Sequence, residues 1–401
     1  MSEVIVQWAR SSGRRDESEV LLLGRLLSGA LFPPAVVERL PPPAGNDEDP
    51  VIVRLHVDPT GSLADLPWEL ATDPSDPDRF LSATEGYAFV RVNADAPVGS
   101  GQPPEPLPLS ERMSVLRIIV QPDETSRWPQ VMDTGYPRRW PTSKAIDDDL
   151  AARIGAVTGL DDAPLFTSES LINPPLSELR ARAGRGSVDI VHYVGFGYQE
   201  PEDGQRSGFQ RSWIACGGGP GNDNLRSHKA LEVIREIGRL QPRLLIMEFG
   251  TPSLDWPSDF VGGRRFEPIG PALLESIDLA GAEAMICTRP VHPLQYDRFN
   301  GLFYAQLGSG HTVEQAVQLA RVALSLDAVV DHAGFGWFAV STGNNLRRRF
   351  FERPTRSTGL ESISGHSRSG SPAESSETPL REPARSDSFS SSSPHAGGAE
   401  D

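Results

Sequence analysis

Only two cysteines, Cys216 and Cys287, occur among the 401 residues. A disulfide framework, a four-cysteine zinc ribbon and an iron–sulfur site all need more thiols, so each is excluded. Long apolar runs are missing too. Stretches such as Leu21–Leu23 and Leu244–Met247 fall far short of the roughly 20 residues of a membrane span. The chain turns polar by Arg10–Ser18, so no secretory leader is read there. A soluble, cytoplasmic protein with no membrane partner is the expectation. Lysine is as rare as cysteine, with Lys144 and Lys229 the only two. Arginine therefore carries the positive charge, and 38 Lys+Arg against 54 Asp+Glu leave a net −16. Such a chain repels nucleic-acid phosphates, so no nucleic-acid partner is expected. Arg347–Arg349 is the most visible basic patch and reads as a solvated end of the fold.

What is present divides the chain into three. From residue 354 to 401 apolar residues are isolated and serine and proline abound; such a tail cannot bury enough apolar area to offset its ordering entropy. Residues 1–110 read as an α+β segment. Val4–Trp8, Val51–His56 and Tyr87–Val92 are strand-like, and Glu19–Ser28 carries apolar residues at helical spacing before Gly29. The Gly/Pro stretch Val98–Leu109 reads as a linker or long loop. Across 111–345 strands and helices alternate. Ser114–Val120, Ser187–Val194, Arg243–Phe249 and Ala282–Thr288 are nearly continuous apolar strands, with Ser212–Cys216 and Phe335–Thr342 shorter ones. Thr142–Thr158, Leu171–Ala183, Ala230–Arg239, Ile269–Ala280 and Thr312–Ser325 carry helical spacing between them. This alternation predicts an α/β fold with a mostly parallel central sheet flanked by helices. Sites in such sheets lie at the carboxyl ends of the strands.

Two of those ends carry specific patterns. One strand reads Asp189-Ile-Val-His-Tyr-Val-Gly-Phe-Gly197, and a later one reads Arg243-Leu-Leu-Ile-Met-Glu-Phe-Gly-Thr-Pro252. Upstream lies Leu66-Pro-Trp-Glu-Leu70, then Phe89-Val-Arg91. Downstream come Ile269-Gly-Pro-Ala-Leu273, Arg289-Pro-Val-His292 and Gly310-His-Thr-Val-Glu-Gln-Ala-Val317. Together these resemble the CHAT family of caspase-like cysteine proteases, from about residue 20 to 345. The resemblance implies a caspase-like three-layer fold and a His/Cys dyad at the two strand ends. Matched residue by residue, the imidazole position holds Phe196 and the nucleophile position holds Gly250. Neither residue can transfer a proton or attack a carbonyl. The resemblance therefore implies a catalytically inactive pseudoprotease, a binding or regulatory module for a protein or peptide partner.

Substitutes for the dyad are few. His192 shares a strand face with Ile190 and Val194 by period-2 alternation, which favours a hydrogen-bonded core residue over a general base. Cys216, before three glycines, and Cys287, at the end of a core strand, read as small buried hydrophobes. The alternative is a cysteine endopeptidase whose nucleophile has moved to Cys216 or Cys287, with His192, or His228 for Cys216, as base. Tyr193, Phe196, Glu248, Thr251 and Asp255 are the candidates for a binding cleft, Glu248 and Asp255 being read as loop charges. Gly217-Gly-Gly-Pro-Gly221 lacks the Lys-Ser/Thr of a phosphate loop and reads as a hinge or hairpin. No motif calls for a metal or a cofactor.

Overall fold

In the computed structural model the apolar runs become neighbouring strands of one sheet. The structure describes residues 17–45, 49–57, 62–93, 105–108, 111–121, 142–159, 162–200, 206–218, 225–250, 267–288, 293–326, 336, 338–342 and 349–352. Its strands are β1 (Val51–Val57), β2 (Thr72–Asp73), β3 (Asp76–Phe80), β4 (Tyr87–Asn93), β5 (Met113–Ile119), β6 (Phe166–Ile172), β7 (Ile190–Gln199), β8 (Ser212–Gly217), β9 (Leu225–Lys229), β10 (Leu244–Gly250), β11 (Glu267–Pro268), β12 (Ala284–Thr288) and β13 (Phe338–Ser341). The main helices are α1 (Glu17–Leu31), α2 (Ser143–Gly155), α3 (Leu176–Ala183), α4 (Ala230–Gly238), α5 (Pro293–Gly308) and α6 (Val313–Ser325).

The main sheet runs β1-β4-β13-β12-β10-β7-β5-β6. Every pairing along that path is parallel except β12 with β13. This is an α/β fold with a mostly parallel central sheet flanked by helices, consistent with a caspase-like three-layer arrangement. The chain leaves β5 for β6 on one side and returns to β7 on the other. The strand order thus reverses between β5 and β7, the position where open α/β sheets place their crevices. Beyond the main ladder, β7 continues into antiparallel pairing with β8 and β11, and β8 pairs with β9.

Because β7, β10 and β12 are covered on both faces, they carry apolar residues on both. One face packs Ile190, Leu244, Ile246 and Ile286 against α2, α5 and α6. The other packs Val191, Tyr193, Leu245, Met247 and Met285 against α3, α4 and the turns of 271–280. Local sequence sets the helix starts. Thr312 caps α6 reciprocally: its Oγ1 accepts from Gln315 N at 3.2 Å, and Gln315 Oε1 accepts from Thr312 N at 3.0 Å.

The N-terminal strands enter the same sheet through a slender ladder, with Ser341 opposite Arg91 as the one register pair of β13 and β4 among the described residues. Buried side chains reinforce it. Arg321, fully buried, donates to Phe338 O at 2.9 Å and to Phe89 O at 3.2 Å. Arg91 pairs with Glu69 through two bonds of 2.8 and 2.7 Å and also donates to the Ala64 and Leu66 carbonyls. The Leu66–Leu70 motif is thus anchored by its acid.

Several elements depart from the sequence reading. Phe166–Ile172 is a strand, and the helix read from Leu171 begins only at Leu176. β6 is an edge strand whose residues 167–169 are exposed, so no apolar alternation marks it; its full register with β5 forms it. β7 does not stop at Gly195 but continues to Gln199, because β8 and β11 supply further partners. Helix α5 occupies a stretch to which the sequence reading assigned no element. A Cβ on Gly301 would stand 3.3 Å from Arg153 Nη1, the end of a flexible side chain. Ile269–Ala280 is 3₁₀ over Pro271–Ser276 and α-helical only over Ile277–Ala280. The expected strand Val4–Trp8 and the tail lie outside the described residues. No described helix is long and apolar enough to cross a membrane.

Candidate functional site

Strands β7 and β10 bring the two motif positions together. Gly250 stands directly opposite Phe196 in the parallel register. Phe196 is buried, and a Cβ built on Gly250 would lie 3.0 Å from its ring carbon Cε1. The strand end itself is firmly held. Phe249 N donates to Thr288 Oγ1 at 3.3 Å, while the Tyr296 hydroxyl donates to Phe249 O. Tyr193 belongs to the core; its hydroxyl donates to Ala215 O at 2.8 Å and Phe196 O at 3.2 Å. Burial pushes that phenol well above its ordinary range.

On the face carrying Ile190 and Val194 lies a buried polar group. His192 is fully buried, its Nδ1 3.0 Å from the Tyr304 hydroxyl. Its Nε2 is 3.4 Å from Glu248 Oε2, within ion-pair range but off the line of a hydrogen bond. Asn300 Nδ2 donates to the same oxygen at 3.3 Å. Arg117 lies beside His192 in register and donates to Asp147 Oδ1 at 2.8 Å. Burial, and then the Glu248 charge, push the Tyr304 phenol well above its ordinary range. Glu248 is therefore not a solvated loop charge as its sequence context suggested. It sits within β10, 1 % exposed, because the strand runs two residues past it.

Both thiols sit in the opposite hydrophobic cluster, with Tyr193, Met247 and Phe249. Cys216 is buried in β8, and desolvation pushes its thiol up to about 12. Cys287 lies opposite Met247 in register, its Sγ donating to Gly270 O at 3.5 Å. The sheet thus separates His192 from both cysteines. His228, on β9, is two residues along the chain from Arg226, the register partner of Cys216. Its ring nitrogen Nδ1 is 3.8 Å from Glu232, and burial lowers its affinity for a proton.

Gly217 is a close-approach glycine, since a Cβ there would lie 1.8 Å from Asn173 O; its N donates to Pro174 O at 2.9 Å. Arg349 pairs with Asp49 at 3.0 Å, which removes it from the basic patch. Thr251 and Asp255 lie outside the described residues, as does the Arg289–His292 motif. Among the described residues no group of three or more His, Cys, Asp or Glu could hold a metal ion. Sequence reasoning missed Arg117, Asn300 and Tyr304. The available signal was the four-residue spacing of Tyr296, Asn300 and Tyr304, which places them on one helix stripe.

No protein-family model matches the chain, and no curated protein matches it.

Proposed function

We propose that this chain is a CHAT-like, caspase-type protein without a catalytic dyad, working in the cytoplasm as a binding or regulatory module for a protein or peptide. The observation that carries this reading is the in-register pair of Phe196 and Gly250, with the ring 3.0 Å from where a side chain at 250 would begin. Acyl transfer by a caspase-like site needs an imidazole and a thiolate near hydrogen-bond distance. An aromatic hydrocarbon ring against a glycine supplies neither. The separation of His192 from both thiols by the sheet, and the high proton affinity of Cys216, support the same reading. Strand addition is the binding mode open to such a scaffold, because main-chain pairing needs no catalytic group. The net charge of −16 favours a neutral or basic polypeptide over a nucleic acid or an anionic membrane.

The test is incubation of the purified chain with a degenerate peptide pool, read by mass spectrometry for products and by hydrogen exchange for protection. Intact peptides and new protection at the carboxyl ends of β7 and β10 are expected. Cleavage that disappears in Cys216→Ala or Cys287→Ala would overturn the reading.

A further inference from the structure

The polar group beneath the strand ends is incompletely paired, and its unmet bonds point to a ligand. Four buried atoms there have no hydrogen-bond partner within the protein: Arg117 Nη1, His192 Nε2, Glu248 Oε1 and Asn300 Oδ1. Their residues are at most 5 % exposed. They come from β5, β7, β10 and α5, four elements that meet on one face of the sheet. Arg117 is beside His192 in register, Nε2 of His192 is 3.4 Å from the Glu248 carboxylate, and Asn300 is bonded to that carboxylate. Each buried polar atom left unmade costs about 1–3 kcal/mol, more for a charged group. Most buried polar atoms of a native core are paired, with protein or with ordered water.

Their chemistry is complementary to one small molecule. Arg117 Nη1 is a donor, while Glu248 Oε1 and Asn300 Oδ1 are acceptors. When Tyr304 donates to His192 Nδ1, the ring proton sits on Nε2 and makes it a second donor. Two donors and two acceptors in a dry setting match water, which uses two to four polar partners when buried. A metal ion fits poorly, because half of the open groups are donors. An anion fits poorly as well, because Glu248 is beside them.

We propose that this cluster is a hydration site, in which one or two internal waters bridge Arg117, His192, Glu248 and Asn300. The bridge ties α5 to the β5–β7–β10 layer. His192 and its partner Tyr304 lie on the side of the sheet opposite the hydrophobic cluster that contains Phe196. The proposal is independent of the binding-module reading and holds whether or not a peptide docks above.

A high-resolution crystal structure of the full chain decides it. Water density within about 2.7–3.2 Å of at least two of the four atoms is expected. Direct pairing of those atoms with no density between them would overturn the proposal, as would an ion with metal-ligand distances. Oxygen-17 relaxation dispersion gives a second readout in solution. The variant His192→Leu/Glu248→Met/Asn300→Leu should lose at least about one long-lived water relative to wild type. An unchanged count in a folded variant would overturn the hydration site. If that variant does not fold, the wild-type crystal structure still decides.

Discussion

Desolvation governs the reactivity of single residues here. A thiol reacts as its thiolate, and Cys216 needs a pH near 12 to form one. Cys287 is fully buried and donates to a carbonyl. At neutral pH a small alkylating reagent should leave both cysteines of the folded chain unmodified, while the urea-unfolded chain takes up two labels. Intact-mass spectrometry checks this, and rapid labelling of the native chain would contradict the burial argument. Position 250 gives a second test at this scale. Gly250→Ala places a methyl 3.0 Å from the buried Phe196 ring and should cost about 1–3 kcal/mol by overpacking. Phe196→Leu should relieve that clash, so the double-mutant cycle should show a favourable coupling of at least about 0.5 kcal/mol. Additive effects in urea unfolding would mean that the two positions do not touch. That the two strands end near these positions was legible in sequence, but their contact rests on the register. The hub around Glu248 was not legible, because its members are scattered over four elements and only the ladder aligns them.

Between elements, α2 and α5 meet through two acids and one arginine. Arg153 lies 2.9 Å from Asp149 and 2.9 Å from Asp297. Burial, then the neighbouring Asp149, push Asp297 up to about 6, while Asp149 is lowered. The signs oppose. A carboxyl raised in the folded state contributes stability that is complete below its unfolded value near 4 and lost as pH rises through about 6. Asp149, lowered, contributes stability that is present above that unfolded value and lost as pH falls. Asp297→Asn should therefore flatten the decline in stability between about pH 4 and pH 6–7 and raise the thermal midpoint at neutral pH. Thermal melts of both proteins across that range check it; parallel profiles would show that Asp297 does not hold a proton there. Element identity was readable wherever burial is local. Ser114–Val120 and Arg243–Phe249 became β5 and β10 within a residue or two, because continuous apolar runs suit strands covered on both faces. β6 escaped notice because an exposed edge strand owes its existence to a partner distant in sequence.

At the scale of the whole molecule, β1 and β4 join the sheet that carries β5 to β12. The Glu69–Arg91 pair and Arg321 hold that junction from within. Removing one partner of a buried ion pair leaves the other charge uncompensated, at about 3–5 kcal/mol. Glu69→Ala should lower stability by that amount while keeping a single calorimetric transition. Two separated transitions would show that the N-terminal strands melt independently of the rest.

The sequence by itself determined the α/β class and the run of buried strands, since each depends on residue type and local spacing. Only the tertiary structure decided that Phe196 packs on Gly250, that His192 and the two thiols face opposite sides of the sheet, and that Arg117, Glu248, Asn300 and Tyr304 gather around His192. Those facts depend on strand order and register, and register is fixed by pairing between segments that no local pattern connects.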